Sequence, residues 1–122
     1  MNPYVNRAHQ AYTQYGIEMQ TQGNLIVMLY DGAIRFITTA QTAIENKKYA
    51  EAHENIMKAQ RIIQEFIRTL NFSAGEISNQ LLSLYEYMIH QLIQANVKKD
   101  IEILEEVKGH LTELRSAWVQ IV

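Results

Sequence analysis

The stretch NLIVMLYDGAIRFITTAQTAIE, Asn24 to Glu45, decides how this chain folds. Its apolar residues Leu25, Leu29, Ala33, Phe36, Ile37, Ala40 and Ile44 recur at three- and four-residue steps, the repeat of a helix with one buried face. Beyond it Asn46-Lys47-Lys48 interrupts the pattern, and Tyr49, Ala52, Ile56, Ala59, Ile63, Phe66, Ile67 and Leu70 resume it as a second helix. Asn71 to Glu76 holds Phe72, Ser73 and Gly75 and reads as a turn. Ile77, Leu81, Leu84, Tyr85, Met88, Leu92 and Ala95 then mark a third helix, which Asn96 to Lys99 closes. Asp100 is placed to cap a fourth, striped by Ile103, Leu104, Val107, Leu111, Leu114, Trp118 and Ile121. Four helices of about 20 residues, roughly 30 Å each, joined by short connections make antiparallel neighbours. The expected fold is all-α, an antiparallel up-down four-helix bundle over residues 24–122, preceded by an N-terminal arm or short helix at 1–23.

Composition agrees with this reading. The chain has 122 residues, 48% of them hydrophobic, enough for one buried core. One proline, Pro3, and five glycines leave too few turns for an all-β fold. Charged residues make up 20%, with a net charge of −2, so the basic excess needed to neutralise nucleic-acid phosphates is missing. The absence of cysteine excludes disulfides, zinc–thiolate and iron–sulfur sites and thiol nucleophiles. No stretch reaches the roughly 18–20 apolar residues of a membrane span, and Met1 to Gln20 lacks a signal-peptide pattern. The expectation is a cytoplasmic protein with no membrane insertion. The paired lysines Lys47-Lys48 and Lys98-Lys99 fall at helix C-termini, where cations meet the negative end of the macrodipole.

Four-helix bundles often carry di-metal centres built from Glu and Glu-x-x-His pairs, and this chain has no such pair. Glu86 with His90 and Glu106 with His110 each share a helix face, but at about 100° per residue both pairs fall away from the core stripes and are expected to face solvent. His53 and His9 have no Asp or Ser placed to form a relay. There is no phosphate-binding glycine loop, nucleophile elbow or dinucleotide fingerprint. The expectation is a protein with no catalytic residues, no metal and no cofactor.

Two features exceed what a single core requires. Beside their core stripes, the third helix carries Leu82, Ile89 and Ile93, and the first carries Ile26, Val27, Tyr30 and Ile34. Such second stripes either mark a partner surface or are covered by neighbouring helices and the arm. The arm has its own stripe, Val5, Ala8, Tyr12, Tyr15 and Met19, on a segment too short to hold a helix alone in water. It is either a detachable arm or a permanently packed fifth helix.

Four runs, one on each expected helix, carry a resemblance: Met28-Leu29-Tyr30-Asp31-Gly32-Ala33, then Lys58-Ala59-Gln60 with Ile62-Ile63, then Leu84-Tyr85-Glu86-Tyr87-Met88 with Leu92 and Ala95-Asn96, and Glu113-Leu114-Arg115-Ser116-Ala117-Trp118. From about Thr21 to the C-terminus the chain resembles the FliS family of flagellin-specific export chaperones. The resemblance implies a cytoplasmic bundle that binds the disordered C-terminal region of flagellin, prevents premature polymerisation and delivers it for type III export without ATP. It also implies an N-terminal segment that occupies part of the client groove, a lid role for Tyr12, Tyr15 and Met19. Two departures stand out. Thr21-Gln22-Gly23-Asn24 replaces the family's Ser/Thr-Pro-Gly-Glu, removing a helix-starting proline and a capping-box Glu at a local cost of roughly 1 kcal/mol at most. Ile89-His90-Gln91 stands where arginines are common, making that surface less basic and more apolar.

On this reading the client-contact residues are Ile56, Ile63 and Ile67 on the second helix with Leu82, Tyr85, Ile89 and Ile93 on the third, some of them shared with the core. The alternative is a regulatory adaptor binding another flagellar export or regulatory protein. The free protein is expected to be a monomer or weak homodimer.

Overall fold

The computed structural model describes residues 22–70 and 75–121. The arm residues Tyr12, Tyr15 and Met19, and most of the turn at 71–74, lie outside them. Four helices follow in order: α1 Gln22–Glu45, α2 Tyr49–Arg68, α3 Glu76–Lys98 and α4 Ile101–Ile121. Each packs on its chain neighbours and α4 returns to α1, which closes an all-α antiparallel bundle with α1 and α3 on one diagonal. α1 starts two residues before Asn24, and α3 ends at Lys98, inside the Asn96–Lys99 segment expected to close it.

Local chemistry sets the ends. Asp100 Oδ1 accepts from Glu102 N at 2.9 Å and Ile103 N at 3.2 Å, the expected cap of α4. Two helices end alike. After α1, Lys47 adopts φ 59°, its N–H donates to Ile44 O at 3.0 Å and Lys48 N–H donates to Ala43 O at 2.8 Å. After α3, Lys99 adopts φ 51° and Asp100 N–H donates to Ala95 O at 3.1 Å. These are Schellman closures whose left-handed residue, ordinarily glycine, is lysine. Lys99 adds a contact of the kind the macrodipole favours: its ammonium donates to Asn96 O at 2.7 Å and Oδ1 at 2.6 Å.

Leucine, isoleucine and methionine at Leu25, Ile37, Ile56, Ile63, Met88, Leu92, Leu104 and Leu111 fill the core, and Ala33, Ala40, Ala52, Ala59 and Ala95 let the helices approach. Towards the end holding the start of α1, the core turns aromatic. Phe66 lies 4.6 Å from the Tyr30 ring and 5.5 Å from the Tyr85 ring, centroid to centroid, and the two tyrosine hydroxyls are 2.8 Å apart. This corrects the expectation for α1: Ile26 and Tyr30, counted as surplus, are fully buried, and Val27 and Ile34 are half-buried.

Polar side chains fix how α4 meets its neighbours. Buried Gln41 donates to Ile101 O at 3.3 Å and Glu105 Oε2 at 3.2 Å, and accepts from Lys108 Nζ at 2.9 Å, so its amide is satisfied across the α1/α4 seam. Lower on the same seam, Arg115 Nε donates to Asp31 Oδ1.

Candidate functional site

The apolar surplus of α3 lies beside α2. His53 Nδ1 meets Asn96 Nδ2 at 2.8 Å and Phe66 packs on Tyr85, which fixes the antiparallel register of the two helices. In that register Ile67 stands level with Leu82, Gln60 with Ile89 and Met57 with Ile93. At about 100° per residue, Leu82, Ile89 and Ile93 occupy the flank of α3 that carries Asn96 and so faces α2.

The seven positions expected to contact a client separate by depth. Ile56, Ile63 and Tyr85 are sealed in the core, Tyr85 with 1% of its surface exposed. They form the floor of the seam and offer no surface in this state. Ile67 and Ile89 are half-buried against that core, Leu82 is half-buried, and Ile93 is 44% exposed. Sequence reasoning missed a continuation. Because α3 extends through Lys98, Val97 falls one turn beyond Ile93 on the same flank and is 78% exposed. On α2, Met57 and Gln60 project to the same side, and exposed Tyr49 lies at its end. The signal for Val97 was its i+4 spacing from Ile93, which went unread because Val97 falls inside the Asn96–Lys99 closing segment.

The rim of this seam is weakly charged, with His53 and Gln64 from α2 and Glu86 and His90 from α3, all exposed. The opposite flank of α3 is polar and engaged. Tyr87 donates its hydroxyl to Glu106 Oε2, Gln91 Nε2 donates to Glu106 Oε1 at 2.8 Å, and His110 sits edge-on to the Tyr87 ring at 6.0 Å. Glu106 is exposed and His110 half-buried, 3.4 Å from each other, so the pair expected to face solvent also reaches α3. Hydrogen bonds from Tyr87 and Gln91 hold the Glu106 carboxyl below its ordinary range, and the bond to Glu106 pushes the Tyr87 phenol up. Among the described residues no group of three or more His, Asp or Glu gathers as a metal site, and no helix is long and apolar enough to cross a membrane.

The seam is thus apolar along its length with a weakly charged rim. The sequence profile of the family described as "Flagellar protein FliS" matches residues 4–122. The chain is 43% identical to the "Flagellar secretion chaperone FliS" of Bacillus subtilis (strain 168), covering 99% of this chain and 86% of the relative. It is 34% identical to the protein of that name in Salmonella typhimurium, over 97% and 92%, and 34% identical to "Flagellar secretion chaperone FliSB" of Pseudomonas aeruginosa, over 94% and 95%. With its four-helix bundle and a match along nearly its whole length, the chain belongs to the FliS family of flagellar secretion chaperones, which bind rather than catalyse.

Proposed function

We propose that this protein binds the C-terminal segment of flagellin in the cytosol, keeps it from polymerising and delivers it for type III export, using the α2/α3 seam as the principal contact. The observation that carries this reading is the line Leu82, Ile89, Ile93 and Val97, left half-buried or exposed beside Ile67 although the helices around it are fully packed. A disordered amphipathic tail can fold as a helix along such a line, its anchors spaced by three and four residues, and so hide the face it would use in assembly. Ile56, Ile63 and Tyr85 support the seam from below. Tyr12, Tyr15 and Met19 of the arm cover the line in the free protein and are displaced by the client, whose larger interface offsets the cost of ordering it.

Calorimetric titration with a flagellin C-terminal peptide, set against a peptide lacking its last helix, tests this. Saturable 1:1 heat with the first and little with the second is expected. Ile89→Asp with Ile93→Asp should weaken binding by at least about tenfold at unchanged helicity. Equal heats from both peptides, or no heat, would overturn the reading. Deleting residues 2–19 should leave the bundle helical and client affinity undiminished; a collapse of helicity would make the arm structural and end its role as a cover.

A further inference from the structure

The α1/α2 face, across α2 from the Ile67 flank, carries an arrangement the seam does not use. Phe36, half-buried on α1, has the Arg35 guanidinium 5.8 Å and the Lys58 ammonium 5.6 Å from its ring centroid, both within the reach of a cation–π contact. Ile62 Cδ1 lies 3.6 Å from where a Cβ on Gly32 would stand, so the helices run close here; Lys58 stands at this border over Phe36, and Arg61 follows it by three residues on the outer, exposed side of α2. Arg35 and Arg61 are exposed, and among the described residues neither has a carboxylate within ion-pair distance. Lys58 has only a long pair, 3.7 Å to Glu54, between side chains 42% and 68% exposed, which contributes little. Met28, two turns before Arg35 on α1, is 41% exposed.

We infer that this face docks an acidic protein segment with an apolar anchor, carboxylates meeting Arg35, Lys58 and Arg61 and the anchor resting on Phe36 and Met28. Three under-compensated cations gathered in a chain of net charge −2 form a local complement to negative charge. The aromatic and methionine supply apolar contact that a phosphate backbone cannot use. Glu54 lies four residues before Lys58 and Glu65 four after Arg61, so the positive zone is bounded at both ends of α2. That suits a short acidic segment and repels an extended polyanion, whose binding grows with each further phosphate neutralised. Because Lys58 and Arg61 are separated from Ile67 by about 120–180° around α2, the partner and a seam-bound client can be held together.

The test uses the full-length protein and a fluorescein-labelled synthetic peptide in which Glu and Asp surround Leu and Phe at helical spacing. Its controls are the Lys-for-acid version of the peptide and a single-stranded DNA oligonucleotide. Anisotropy should show saturable binding of the acidic peptide that weakens with salt and falls at least about tenfold in R35E/R61E. Amide shift changes should gather on α1 and α2 around Phe36 and leave Leu82 to Val97 unmoved. Flagellin-tail binding in R35E/R61E should be unchanged, and since the two titrations are separate, failure of one does not decide the other. No binding by the acidic peptide, equal binding by the variant, shifts centred on the α2/α3 seam, or tighter binding of DNA would each overturn the inference. Should R35E/R61E lose helicity, R35Q/R61Q replaces it with the same criteria.

Discussion

The hydroxyls of Tyr30 and Tyr85 meet at 2.8 Å across the diagonal of the bundle, inside the core, with the Phe66 ring against both aromatic faces. α1 and α3 are thereby tied although they are not packed neighbours, and α2 supplies the ring that fills the space between. A polar contact in an apolar interior is strong when made and costly when half-broken. Tyr30→Phe and Tyr85→Phe should therefore each cost about 1–2 kcal/mol in urea denaturation, with the pair costing less than their sum because the second change removes a hydroxyl already deprived of this partner. Strict additivity would show that the bond contributes nothing.

Asp100 caps α4 with its carboxylate on the N–H groups of Glu102 and Ile103. Replacing it with alanine leaves those donors to water and should lower stability by about 1 kcal/mol, whereas Asp100→Asn should cost less. The midpoint of chemical denaturation at constant m-value is the readout.

Lys47 holds φ 59° in the closure after α1, and its side chain makes no hydrogen bond or ion pair among the described residues. Lys47→Gly should leave stability level or raise it by up to about 1 kcal/mol, since relief of left-handed strain exceeds or matches the extra backbone entropy lost on folding. Lys99 has the same backbone but also two ammonium contacts to Asn96, so Lys99→Gly should gain less or lose. Thermal unfolding of the two variants side by side measures the difference.

The Tyr87–Glu106 contact makes two pH predictions of opposite sign. Glu106 is depressed, so its contribution is present above the ordinary glutamate value of about 4.3 and is lost as pH falls through its lower folded value. Tyr87 is raised, so its contribution is complete below the ordinary tyrosine value of about 10 and is lost as pH rises through its higher folded value. Both groups are exposed, so the effects on stability are small. Ultraviolet titration, with Tyr87 assigned by its loss in Tyr87→Phe, should find this exposed phenol ionising late, and Glu106→Gln should bring it back towards the ordinary range.

Much of the architecture was legible because it is local. The three- and four-residue repeats place the helices, and Asp100 announces the start of α4 through a side chain that bonds its own first turn. What local pattern misjudged was coverage. Ile26 and Tyr30 on α1 were counted as surplus with Leu82 and Ile93 on α3, yet at about 100° per residue Ile26 shares the angle of Ile44 within the α1 stripe and Tyr30 borders Ile37, and both are sealed, whereas Ile93 lies well off its stripe and is 44% exposed. Glu106 and His110 read as a solvent-facing pair, and Glu106 is exposed but also takes two hydrogen bonds from α3, which its own helix does not encode.

Periodicity, then, determined that this chain forms four amphipathic helices with apolar side chains in excess of one narrow stripe, because a residue's angle on its own helix follows from its number alone. Tertiary structure decided which of those side chains stay open. The helix register, the Tyr30–Phe66–Tyr85 stack and the extension of α3 to Lys98 set where a neighbouring helix lies over each flank, and burial is a property of that neighbour's distance, which no single helix encodes.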